Sequence, residues 1–278
     1  LYPEFTQNLS SAKSPQEMMS ALIKTYFAEK IGKKPEDIYL VSIMPCTAKK
    51  DEKSRETLSV RGMQTTDAVI VTRELAKLIK MYKIPYESLE EEPYDIPLGI
   101  STGAAAIFGT TGGVMEAALR TAYELYTGEE LPKLDFEFAR GFDGVKEAEI
   151  DMKGTKVKVA VVHGGSNVVQ LMDKIRSGEK FYHFVEVMAC PGGCIGGGGQ
   201  PKSSKPGYLQ KRMEAIYNID RDSKIRKSHE NPAITKIYEE YLGKPLGHLS
   251  HELLHTHYKN NQKSVIERKK ELEEVSKG

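Results

Sequence analysis

The chain has 278 residues, with 40 Lys and Arg against 39 Asp and Glu and a formal charge of +1. That length allows one large domain or two lobes around a sizeable core, and the balanced charge gives no electrostatic footprint for nucleic acid or an anionic membrane. No run of about 18 apolar residues occurs, so no membrane-spanning helix is expected, and Leu1-Tyr2-Pro3-Glu4-Phe5 lacks the basic and apolar regions of a secretory signal.

Ser14-Pro15-Gln16-Glu17 opens the first predicted helix. Ser14 suits the cap, Pro15 the first helical position, and Glu17 the capping box. Met18, Met19, Ala21, Leu22 and Tyr26 then follow at helical spacing, which predicts a helix over 15–30. The β-branched run Ile38 to Ile43 predicts a buried strand leading into Met44-Pro45-Cys46. Ala68-Val69-Ile70-Val71 predicts a second strand, and Glu74 to Tyr82 a helix with Leu75, Leu78 and Ile79 on one face. Residues 83–100 read as a surface loop.

Ser101 to Gly113 is small and glycine-rich, and Val114 to Tyr126 reads as a helix. Strands are expected at 134–140, 146–152 and 156–162, a helix at 166–176, and a strand from Phe181 to Met188 that ends near Cys190. From about 208 the chain reads as mostly helical. Asn231-Pro232 starts one helix, Gly243 ends it, and residues 262–276 form a charged final helix. Alternating strands and helices predict an α/β architecture.

The chemistry concentrates in Glu186 to Pro201, which holds Cys190, Cys194 and four consecutive glycines, Gly196 to Gly199. Such backbone reaches unusual φ/ψ, approaches a bulky ligand closely and offers unshielded N–H groups. A second segment, Met44-Pro45-Cys46-Thr47-Ala48-Lys49-Lys50-Asp51-Glu52, puts a thiol at a strand's C-terminal end with Lys49 three residues on. With only three cysteines the chain has no disulfide framework; metal ligation or thiol chemistry in a reducing cytoplasm is the natural reading. Three thiolates are one short of the usual iron–sulfur set, and three Cys with one His make the zinc alternative. His163 follows a strand and is read as a core histidine, with a site contact as the other reading.

Glu186 to Pro201 resembles the third H-cluster signature of [FeFe]-hydrogenases, E-x-M-x-C-x-x-G-C-x-x-G-G-G-Q-P, at every fixed position. Met44 to Glu52 is similar to the second, M-P-C-x-x-K-x-x-E. Ser10 to Gln16, Gly103 to Gly113 and Lys227-Ser228-His229-Glu230-Asn231 also resemble stretches of that family, and the resemblance runs to about residue 258. It implies a two-lobed α/β catalytic domain over 1–258, incomplete at its N-terminal side, with the cluster buried between lobes, and a helical tail over 259–278.

The resemblance also implies a site. Cys46, Cys190 and Cys194 would hold a [4Fe–4S] cluster, with Cys194 bridging to a diiron subcluster that carries CO, CN and a bridging dithiolate. Lys49 would hydrogen-bond to a cyanide. Met44 and Met188 would pack beside the diiron unit, Ser14, Pro15, Gln16 and Phe108 would line its pocket, and Ser10 would belong to a proton relay. The family's first signature, T-S-C-C-P, has no counterpart here, so an upstream segment would supply the fourth ligand. H2 and protons would be the substrates, and ferredoxin, ferredoxin-like domains or an NADH-linked chain the electron source. The alternative is a hydrogenase-like iron–sulfur protein acting in cluster assembly or H2 sensing without turnover.

Overall fold

A computed structural model describes residues 2–258. The final helix expected at 262–276 lies outside the described residues. The fold builds two sheets flanked by helices, a two-stranded β1-β2 pair and a three-stranded β3-β4-β5 sheet.

The first lobe begins with α1 (Pro15–Leu22), which passes through one π turn (Ile23–Phe27) into α2 (Ala28–Lys30), matching the helix expected over 15–30. β1 (Val41–Met44) lies parallel to β2 (Ala68–Val71), with Met44 opposite Val71. The strand starts three residues later than its β-branched run because side chains take up the earlier backbone. Lys24 Nζ donates to Ile38 O, and Asp67 Oδ2 accepts Leu40 N–H at 2.6 Å. Between the strands comes α3 (Ala48–Glu52), and after them α4 (Thr72–Met81). Residues 83–100 are irregular apart from a 3-10 turn at Tyr86–Ser88, as expected.

The second lobe contains α5 (Gly103–Ile107), α6 (Gly113–Thr127), β3 (Val145–Met152), β4 (Thr155–His163), α7 (Gly165–Arg176) and β5 (Phe184–Met188). β3 and β4 form an antiparallel hairpin across Lys153-Gly154, both at positive φ, the backbone a two-residue hairpin turn requires. β5 returns parallel to β4 after α7, with Met188 opposite His163. Along β4 the side chains alternate. Val159 and Val161 face the Met115–Leu119 side of α6, and Ala160 and Val162 face Leu171 of α7. Both faces are therefore covered, which explains the unbroken apolar run.

The strand expected at 134–140 does not form; a 3-10 turn at Glu137–Ala139 takes its place. Side chains claim this segment before a neighbouring strand can. Leu134 O accepts Arg120 Nε at 2.9 Å, and Asp135 Oδ1 accepts Arg226 at 2.7 Å and Arg140 at 2.8 Å. Finally α8 (Tyr208–Asp222) packs on α5 through Ile216 and Tyr217. Next come α9 (Pro232–Ile237), a π turn (Tyr238–Leu242) and α10 (His248–Leu254). These return to the first lobe, where Ile237, Leu242, Leu253 and Leu254 share one core with Ala21, Leu22, Tyr26 and Val60.

Candidate metal centre

β1 ends at Met44 and delivers Pro45-Cys46 at the C-terminal end of a parallel pair, where α/β sheets place their ligand-binding loops. α3 then carries Lys49, whose Nζ meets Glu52 Oε2 at 2.5 Å. Ser14 Oγ donates to the same oxygen at 3.1 Å. Gln16 Oε1 accepts Ser42 Oγ at 2.9 Å. Ser14 and Gln16 thus tie the start of α1 to the strand and helix on either side of Cys46. Pro15 fills the first helical position and is exposed.

β5 ends at Met188 and leads into the Cys190–Cys194 turn. Gly193 N–H closes it on Cys190 O at 3.0 Å. Gly192 and Gly193 both have positive φ, +77° and +86°, a region that costs a side-chain-bearing residue energy. The segment before α6 grips this turn from one side. Thr111 N–H donates to Gly192 O at 3.1 Å and Ile195 N–H to Gly109 O at 2.8 Å. A Cβ on Gly193 would stand 2.6 Å from Thr111 N.

The glycine run beyond Cys194 lies directly on the loop that bears Cys46. Gly199 N–H donates to Pro45 O at 2.8 Å, and Arg73 N–H to Gly199 O at 3.1 Å. A Cβ on Gly197 would come within 2.4 Å of Pro45 O, and one on Gly199 within 2.6 Å of Val71 Cβ. Glycine is needed here so that two thiol-bearing loops from different lobes can touch.

The three thiols converge. Burial pushes the Cys194 thiol up from its ordinary pKa, Cys46 and Cys190 add to the rise, and Lys49 opposes it. All three cysteines are free and half-buried. His163 is unavailable as the fourth ligand of a three-Cys, one-His zinc site, because Nε2 meets Phe142 O at 3.1 Å and Nδ1 meets Gly192 N at 3.2 Å. Soft sulfur donors, glycine-lined walls and the buried, unpartnered hydroxyls of Thr110 and Thr111 fit an iron–sulfur group.

Elsewhere Phe108 follows α5 and packs with Ile216 and Tyr217 on the Ala104–Ile107 core. Met44 and Met188 are half-buried at their strand ends. Ser10 stands apart: it is exposed, and its hydroxyl accepts Ala12 N–H at 3.3 Å.

Sequence reasoning missed two buried ionisable side chains near the turn, Glu186 and Lys146. Glu186 accepts Gly112 N–H at 2.6 Å and Met115 N–H at 2.7 Å, sealing the start of α6. Burial raises its carboxyl pKa despite those donors and nearby Lys146, and burial pushes Lys146 down to about 8. Glu186 had a signal, as the first fixed position of its signature; Lys146 had none.

The sequence also contains His251-Glu252-Leu253-Leu254-His255, the H-E-x-x-H spacing of zinc hydrolases. The structure gives it another use. The two rings stack 4.7 Å apart at 5°, His255 Nδ1 meets Ser11 Oγ at 2.8 Å, and Glu252 pairs with Arg61 at 2.8 Å.

No helix among the described residues is long and apolar enough to cross a membrane. The chain is 52% identical over 263 residues to the NADP-reducing hydrogenase subunit HndD of Solidesulfovibrio fructosivorans, covering 94% of this chain and 45% of that protein. It is 47% identical over 264 residues to iron hydrogenase 1 of Clostridium pasteurianum, covering 93% and 46%. The chain thus spans about half the length of these curated relatives. More distant is the cytosolic Fe–S cluster assembly factor narfl of Danio rerio, at 29% over 263 residues, covering 92% of this chain and 64% of that protein. The structure of apo [FeFe]-hydrogenase HydA1 from Chlamydomonas reinhardtii matches with a TM-score of 0.80 at 46% identity, covering 92% of this chain and 71% of that one. Residues 206–261 match the iron hydrogenase small subunit, and residues 1–198 the iron-only hydrogenase large subunit, C-terminal domain. The chain belongs to the iron-only hydrogenase family.

Proposed function

We propose that this chain is the larger part of an [FeFe]-hydrogenase catalytic domain, acting in the reversible reduction of protons to H2. The observation that carries the reading is the convergence of Cys46, Cys190 and Cys194, with His163 engaged by backbone groups. In this reading the catalytic domain occupies residues 1–258 and residues 259–278 are a tail.

Cys46, Cys190 and Cys194 would hold a [4Fe–4S] cluster, and Cys194 would also anchor a diiron subcluster with CO, CN and a bridging dithiolate. When bound, that cofactor supplies a redox metal at which electrons and protons combine. Lys49 provides a cation for an anionic cyanide, a charge-assisted hydrogen bond, while Glu52 and Ser14 keep its side chain from swinging into solvent. Met44, Met188 and Phe108 supply an apolar wall that keeps bulk water away. Pro15 and Gln16 border the same pocket from the start of α1, and Ser10 belongs to the path by which protons arrive.

The fourth sulfur ligand comes from an upstream segment, since only three cysteines are present. Such a segment also has a surface to meet, because β1 exposes Val41 and Ile43 and a parallel sheet is normally covered on both faces. Electrons arrive from ferredoxin or a ferredoxin-like module, and the protein works in the cytoplasm. An assembly-factor role is the weaker reading, because Lys49, Met44 and Met188 together have no use without a diiron unit.

The deciding experiment is anaerobic reconstitution of a polypeptide that includes the upstream segment, using a synthetic diiron cofactor. Infrared bands for bound CO and CN, together with H2 production from a reduced dye, are expected. Cys194→Ser should lose both, and turnover by that variant would contradict the bridging role.

A further inference from the structure

His163 is 7% exposed and closes β4 directly beneath the Cys190–Cys194 turn. Its two ring nitrogens meet backbone groups of opposite kind. Nε2 lies 3.1 Å from Phe142 O, and Gly192 N lies 3.2 Å from Nδ1. A carbonyl only accepts, so Nε2 carries the proton. An amide N–H only donates, so Nδ1 is the bare acceptor. The two bonds together require a neutral imidazole of one tautomer.

The backbone that carries the ring is braced. His163 N–H donates to Gly144 O at 3.1 Å, and His163 O accepts Asn167 Nδ2 at 2.8 Å. Phe142 also packs on the turn, since a Cβ on Gly192 would stand 2.9 Å from its ring. Gly192 is the middle residue between the two thiols and sits at φ +77°. Its N–H would otherwise be a buried donor free to turn toward sulfur.

We infer that His163 is a positioning residue: its Nδ1 captures the Gly192 N–H and so fixes the turn that sets Cys190 and Cys194 around an iron–sulfur cluster. The inference rests on the cluster-binding reading above. It makes the acceptor at Nδ1, rather than the bulk of the ring, the functional element.

Three substitutions separate these contributions. His163→Asn places a carbonyl oxygen where Nδ1 stands and keeps the acceptor. His163→Gln places its amide near the Nε2 position, keeping the donor to Phe142 O but not the acceptor. His163→Phe keeps bulk and loses both. Each is made in the full-length polypeptide and loaded with iron and sulfide alone, without a diiron unit. Iron content, the electron paramagnetic resonance signal of the reduced cluster and the rate of cluster loss to a chelator are then measured, with circular dichroism as the check on folding.

The Asn variant should match the parent. The Gln and Phe variants should release the cluster about five-fold faster, the factor carried by one lost buried hydrogen bond, and show an altered signal. Parent-like behaviour of a folded Gln variant overturns the proposal, as does an Asn variant that behaves like Gln. If His163→Phe fails to fold, the Asn and Gln pair still decides. A parent polypeptide that takes up no cluster at all would instead sink the cluster-binding reading, and the inference with it.

Discussion

Arg120 is the largest fully buried side chain among the described residues. It is fully buried, and five hydrogen bonds match its five N–H donors. Asp220 takes two of them at 2.8 Å, Glu116 one, and the carbonyls of Leu134 and Arg226 the others. Arg140 and Arg226 complete the group by pairing with Glu116, Asp135 and Asp220. Three guanidinium groups face three carboxylates, so this cluster is neutral and leaves no charge for a cation. Removing Arg120 leaves three carboxylates against two guanidinium groups, an unbalanced charge in a low-dielectric interior. Arg120→Met should therefore destabilise the protein by about 3–5 kcal/mol, measured as a lower urea midpoint. A midpoint equal to the parent's would show that the ion pairs are replaceable by packing.

At the scale of elements, two short segments hold their neighbours through specific backbone and side-chain contacts. The first is the Cys190–Cys194 turn, which needs two positive-φ residues in succession. Gly193→Ala adds a Cβ against the backbone of Thr110 and Thr111 as well as strain at φ +86°. The cost is on the order of 1–3 kcal/mol, concentrated in the turn, so iron loading should fall far more than the melting temperature does. Equal loading of parent and variant would mean the turn adapts.

The second segment is Lys227 to Glu230, which clamps onto α6. Lys227 Nζ meets Glu124 at 2.8 Å and Glu230 at 3.0 Å, while His229 bridges Thr121 and Glu124. Burial acts to raise the Glu124 carboxyl, but Leu131 N–H, Lys227 and His229 overcome it and hold it at about 2. A depressed carboxyl contributes stability above its ordinary pKa of 4.5 and loses that contribution as the pH falls toward 2. Thermal unfolding followed across that window should fall more steeply for the parent than for Glu124→Gln. Parallel curves would assign the acid sensitivity to other carboxylates.

Over the whole molecule, the chain is stitched across the junction between its two family matches. Residues 201–207 are all exposed, and they separate the segment matching the large subunit from the one matching the small subunit. Yet α8 packs on α5, Asp220 reaches Arg120, and α10 returns to α1. Trypsin should cut after Lys202, since Pro206 protects Lys205, and leave two pieces that elute together by size exclusion until denaturant is added. Pieces that separate in native buffer would show that the loop, and not the packing, joins them.

Much of the α/β plan could be read from periodicity, because one buried face per element leaves a regular trace. β4 is an example, its apolar run announcing a strand covered on both sides. Residues 134–140 show where periodicity misleads. Their alternation of Phe136 and Phe138 resembles a strand, but Arg120 and Arg226 claim Leu134 and Asp135 from elsewhere in the chain, and Arg140 claims Asp135 from the segment's own end. The thiol pair and the four glycines were equally plain, because their chemistry is local to one segment.

Nothing in the order of residues says that Gly199 lies on Pro45, that His163 turns its acceptor toward Gly192, or that the His251–His255 pair stacks instead of binding zinc. Residue types and short spacings settled the family. Only tertiary structure brought Cys46 beside Cys190 and Cys194, because that meeting depends on contacts between lobes and on space left by absent Cβ atoms, neither of which is a property of any one segment.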